Sequence, residues 1–185
     1  MVAMYRVNGD PRSMKSCEMI YEGLKSLLKE RSYRLESISV TDITRCSQVG
    51  RATFYRHFDG TLDVLRWISN SEVERAFSNI LTLSSKYELL CYNFFTYWYE
   101  NSELLDVLVK TQHPDIFLIS LERFLVHNRE IFFIGTRLTE VSQAYVIDIW
   151  AAIAWSILKR WVLNDKQESA EQLTVIAIKN LPRPR

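Results

Sequence analysis

The chain has 185 residues, 48% of them hydrophobic and 24% charged, the balance of an ordinary globular protein with enough apolar residues for a sizeable core. Its net charge of +1 divides unevenly, with 11 Lys+Arg against 8 Asp+Glu in residues 1–67 and 12 against 14 in residues 68–185. That slight asymmetry is compatible with an acidic partner at the N-terminal end and does not demand one. Three well-separated cysteines, Cys17, Cys46 and Cys91, exclude a disulfide framework and a CxxC zinc site, so a reducing, cytoplasmic setting is expected. The N-terminus lacks the apolar core of a signal peptide. The longest apolar run, Ile149 to Leu158, falls short of the roughly 20 residues that a bilayer requires, so no membrane segment is expected.

Taken in order, apolar residues recur at Met14, Cys17, Ile20, Tyr21, Leu24, Leu27 and Leu28, steps of three and four that predict one amphipathic helix over about 13–31. Ser39 begins a second, short helix, because Asp42 three positions on completes a capping box. Cys46, Ser47 and Gln48 make the turn, and a third helix starts at Gly50 or Arg51. In it Phe54 and Phe58 lie four apart on the buried side, while Arg51, Ala52, Thr53, Tyr55, Arg56 and His57 fall on the other side or its flanks. That face is basic and hydrogen-bonding with one small residue near its middle, the chemistry of a helix lying in a DNA major groove.

Asp59-Gly60 predicts a tight turn and Thr61 a cap for a fourth helix through Leu81, weakened at Ser69-Asn70-Ser71. The N-terminus of that helix would suit a phosphate. An aromatic-rich fifth helix covers Leu89 to Tyr99. A sixth ends at His113-Pro114, and a seventh spans Asp115 to about Phe132, with Gly135 in the loop behind it. The eighth spans Thr139 to Leu163, the ninth Ser169 to Lys179, and the tail 181–185 should fray. With no strand alternation or repeat, the fold class is all-α with about nine helices: a three-helix N-terminal unit at 10–70 joined by its fourth helix to a larger helical domain at 71–180.

The segment ISVTDITRCSQVGRATFYRHF, followed by Leu62 and Leu65, resembles the DNA-binding domain of the TetR family of transcriptional regulators. TFYRHF behind VTDI at this spacing is its most specific element. The resemblance covers about residues 13–70, and the later helices fit the family's more variable half loosely. It implies that the third helix enters the major groove of double-stranded DNA. The contacts it implies are Ser39, Val40 and Thr41 at the second helix, and Arg51, Ala52, Thr53, Tyr55, Arg56 and His57 at the third. Tyr55 and His57 would position phosphates; Arg51, Thr53 and Thr41 would meet base edges; Arg56 could do either. Three positions depart from the family pattern. Gln48 replaces a turn glycine, Gly50 a serine cap, and Thr61 a lysine at the fourth helix.

The family commonly binds an apolar or amphipathic effector in its C-terminal helices, where Tyr92, Phe95, Tyr97, Trp98, Phe117, Phe124 and Trp150 could line a cavity or simply form core. The last two helices commonly pair in a homodimer. Ala151, Ala154, Trp155, Leu158, Leu173 and Ile176 are candidates for that interface, with intrachain core the competing reading. The resulting expectation is a cytoplasmic TetR-like regulator, a repressor binding a palindromic operator as a homodimer. The alternative is a protein-interaction adaptor or coactivator on the same fold. His57, His113 and His127 form no HExxH or other metal spacing, and the glycines make no phosphate loop. Neither a catalytic set, a metal nor a cofactor is expected.

Overall fold

Asp10 starts the first helix: its carboxylate accepts from the backbone N–H groups of Arg12 and Ser13 at 3.0 Å, and Pro11 supplies a residue already set for helix. Helix α1 (Pro11–Glu30) therefore begins two residues earlier than apolar periodicity indicates. The computed structural model describes residues 10–83 and 87–180. The tail 181–185, expected to fray, lies outside the described residues.

After α1, left-handed Ser32 and Tyr33 and a 3-10 turn at Leu35–Ser37 lead into α2 (Val40–Ser47) and α3 (Arg51–His57). Then come α4 (Thr61–Leu83), α5 (Tyr87–Glu100), α6 (Glu103–Lys110), α7 (Asp115–His127), α8 (Arg129–Phe132), α9 (Glu140–Leu163) and α10 (Ala170–Asn180). Among the described residues every regular element is helical, and the fold is all-α. The described residues form ten α-helices where nine are expected, because the seventh breaks at Asn128. Both the backbone N–H and the side-chain amide of Asn128 donate to the Phe124 carbonyl, at 3.0 and 2.9 Å, and its φ of −107° leaves the helical region.

The chain divides into two compact units within α4, the first ending at Ile68 and including Lys110–Gln112, the second holding 69–109 and 113–185. In the first, Cys17, Ile20, Leu24 and Leu28 of α1 are fully buried together with Ile43, Phe54, Val64 and Leu65. The Phe54 and Phe58 rings stand 5.7 Å apart, and Phe58 meets Trp67 at 6.0 Å. Burying side chains of this size contributes about 1.5–3 kcal/mol each, which fixes the short α3 despite its seven residues.

Aromatic packing dominates the second unit. Trp98 meets Phe117 edge-on at 4.8 Å, Phe117 meets Trp155 at 5.0 Å, and Phe77 stacks on Phe124 at 4.5 Å. The turn after α9 holds two successive left-handed residues, Asp165 and Lys166, at φ 51° and 57°. Lys166 secures that turn, since its ammonium donates to Asp106 at 2.5 Å and Ser102 at 2.9 Å and lies over the Trp161 ring.

Helix α9 is, by length and composition, long and apolar enough to cross a membrane, a test that core helices of globular bundles also meet. Its apolar character arises from two stripes. One of them packs on α7 and α10.

Candidate functional site

The start of α2 is held by a network of polar contacts. Ser39 Oγ accepts from the Asp42 N–H at 3.1 Å, and the Asp42 carboxylate accepts from the Ser39 N–H at 3.1 Å and hydroxyl at 2.8 Å, completing the capping box. Arg31, at the end of α1, donates to the same carboxylate at 3.2 Å and also reaches the Ser37 carbonyl. These bonds from Ser39, with Arg31 third, hold the Asp42 carboxyl at about 2, below the usual carboxylate range.

Gln48 ends α2 at φ 57°, the left-handed turn that favours glycine, as its position in the turn implied. Gly50 precedes α3 with no side-chain cap. The next turn differs from expectation. Thr61 is already the first residue of α4, and the turn is closed instead by Asp63, whose carboxylate accepts from the Asp59 N–H at 3.1 Å and pairs with Arg66 at 2.9 Å.

Gly23 is a residue that periodicity passes over. A Cβ there would lie 2.9 Å from the Ser47 Cβ and 3.0 Å from its backbone nitrogen, so α1 and α2 can approach this closely only with glycine. A glycine inside an otherwise strong helical pattern was the available signal.

On the outer side of α3, Arg51, Ala52, Tyr55 and Arg56 are exposed and Thr53 is half-exposed; Ser39 and Thr41 of α2 are exposed and Val40 half-exposed. Arg51 Nη1 donates to Thr41 Oγ1 at 2.7 Å, and its guanidinium carbon lies 5.9 Å from the centre of the Tyr55 ring. Arg56 donates to Thr53 Oγ1 at 3.2 Å. The Ser39 hydroxyl is committed to the capping box.

His57 is a correction. It is 3% exposed, its ring 6.2 Å from that of Phe58. Three residues after Phe54, it falls about 60° from that buried ring, inside the core boundary rather than on the exposed flank.

The second unit contains a cavity of about 320 Å³, lined mostly by apolar side chains including Phe77, Leu90, Phe94, Phe95, Leu125 and Trp150. Of the aromatic residues expected there, Phe95 and Trp150 lie on its wall. Trp98 and Phe117 are fully buried in the aromatic core, and Phe124 stacks behind Phe77. Tyr92 and Tyr97 direct their hydroxyls to Glu171 and Glu72, and burial together with Glu72 pushes the Tyr97 hydroxyl to about 12. Leu90 and Phe94, unassigned from the sequence, join the wall because they share a face of α5.

The six residues expected at an interface between chains divide by burial. Ala151, Ala154, Trp155, Leu158 and Leu173 are buried within this chain, and only Ile176 is exposed. The α9 residues 151, 154, 155 and 158 form one stripe at helical spacing, and that stripe is core. On the exposed side lie Val141, Tyr145, Ile149 and Ala152 of α9, with Val175 and Ile176 of α10.

No family model matches the sequence, and no curated protein matches it. Solved structures do. The chain is similar to a TetR transcriptional regulator from Streptococcus agalactiae 2603V, with TM-score 0.64 and 20% identity over 92% of this chain and 95% of that one. It is similar to a TetR-family transcriptional regulator from Syntrophomonas wolfei str. Goettingen, with TM-score 0.67 and 20% identity over 90% and 92%. A third similar structure is the dihydroxyacetone kinase operon activator DhaS, with TM-score 0.57 and 19% identity over 91% and 94%. Helix content, order and these superpositions together give the chain the all-α fold of the TetR-type transcriptional regulators along nine-tenths of its length.

Proposed function

We propose that the protein is a DNA-binding transcriptional regulator that uses the exposed face of α3, with the first turn of α2, to read duplex DNA. The observation that carries this is the Arg51 cluster: a guanidinium on the outer face of α3, bonded to Thr41 and flanked by Tyr55, on a helix pair locked by its capping box and core phenylalanines. Such a face offers donors for phosphates and base edges on a rigid support.

The protein acts as a homodimer. Val141, Tyr145, Ile149 and Ala152 of α9 with Val175 and Ile176 of α10 supply exposed apolar area on two long helices, which suits an isologous contact. Two α3 helices would then face half-sites about 34–36 Å apart on a palindromic operator. The cavity walled by Phe95 and Trp150 admits a small apolar or amphipathic effector, which would act only through its different affinity for two states of the dimer. Repression is the role assigned, by simple occlusion of the operator.

Selection of bound fragments from genomic DNA tests this reading. Enrichment of one palindromic motif, lost on Arg51→Ala, is expected. Enrichment of no sequence, with a partner protein retained through the C-terminal helices, would favour an adaptor.

A further inference from the structure

We propose that Thr41 and Tyr55 serve as positioning residues that hold Arg51 as a single reader of one guanine in the major groove; this rests on the DNA-binding reading above. Arg51 is held from two helices. Thr41 in the first turn of α2 accepts from its Nη1 at 2.7 Å, and Tyr55, one turn further along α3, lies under the guanidinium at 5.9 Å. Thr41 is itself fixed: its neighbour Asp42 is tied to Ser39 and Arg31, and its own carbonyl accepts from Thr44 Oγ1 at 3.1 Å.

An arginine free on a helix surface surrenders rotamer freedom when it binds, whereas one already held does not. A single N–H of Arg51 is engaged by Thr41, which leaves donors for a bidentate fork. Guanine alone presents the paired O6 and N7 acceptors which that fork fits. Arg56 makes a useful contrast. Its bond to Thr53 stays within one helix and is 3.2 Å long, so it is not braced across the helix pair.

The two hydroxyl-bearing residues thus act through Arg51, not on the bases. Specificity at one base pair is the property they control, and general affinity is not.

The test measures binding of the wild-type protein to its selected duplex with each base pair changed in turn. One G·C pair per half-site is expected at which substitution weakens binding roughly 10- to 100-fold, and Arg51→Lys should abolish that discrimination. Thr41→Val, which keeps the shape and removes the acceptor, should shrink the discrimination at that pair at least roughly threefold, a loss larger than any it causes for non-cognate duplex. Thr41→Ser should restore it, and Tyr55→Ala should mimic Thr41→Val. Discrimination unaltered by Thr41→Val, or affinity lost equally for all sequences, would overturn the proposal while leaving DNA binding in place. A wild-type protein that selects no duplex would remove the DNA-binding reading itself, before any variant is made.

Discussion

The α2–α3 pair and the α9–α10 pair use their two faces in opposite ways. In the first, phenylalanines occupy one side and the polar groups on the other are fastened to one another, so each face has one chemistry. In the second, both sides of α9 are apolar: Ala151, Ala154, Trp155 and Leu158 face the core, and Val141, Tyr145 and Ile149 face outward. Helical spacing separates faces cleanly only where one of them is polar. Where both are apolar, the partner helices decide which stripe is interior, and the residual stripe becomes the surface available to a second chain.

The largest way to break this contrast is to open the core under α3. Phe54→Ala should cost about 3–5 kcal/mol in urea unfolding, whereas Ile149→Ala on the outward face of α9 should stay within about 0.5 kcal/mol for the isolated chain. Equal losses would mean that the two faces are not distinguished as described. Next in size, the paired change Tyr145→Asp and Ile149→Asp should weaken self-association at least roughly 100-fold in sedimentation equilibrium, through unpaired charge placed in a buried apolar contact. Unchanged association would move the interface elsewhere.

Gly23→Ala sharpens the account of the first unit, since its Cβ would collide with Ser47; a loss of about 1–3 kcal/mol is expected from overpacking between α1 and α2, read by thermal unfolding. The smallest effect concerns the capping box. The Asp42 carboxyl is depressed to about 2 in the folded chain against roughly 3.9 unfolded. Its contribution is therefore fully present above about pH 4 and lost as the pH falls through about 2. Asp42→Asn should flatten the stability–pH curve in that window alone, and a wild-type curve already flat there would count against the network.

Much of the helix-turn-helix was legible because its chemistry is local. Ser39 and Asp42 stand at capping-box spacing, Gln48 sits where a left-handed turn is needed, and Phe54 and Phe58 share a face. What escaped turned on which of two local alternatives the fold takes. His57 lies near the boundary between the buried and exposed sides of α3 and is buried, its ring beside that of Phe58. Asp63 closes a turn for which Thr61 was the nearer candidate. In the second unit the aromatic residues of α5 surround most of the helix, so spacing could not tell the cavity wall at Phe94 and Phe95 from the core at Trp98. A dense apolar pattern announces burial without saying which atoms border the void.

The central claim is that the Arg51 face binds duplex DNA, and the salt dependence of that binding tests it most directly. Binding of the selected fragment should fall steeply and linearly on a log–log plot as salt rises, and Arg51→Ala should erase the preference for that fragment over random duplex while keeping the residual slope. A fragment affinity indifferent to salt, or a preference untouched by Arg51→Ala, would contradict the account.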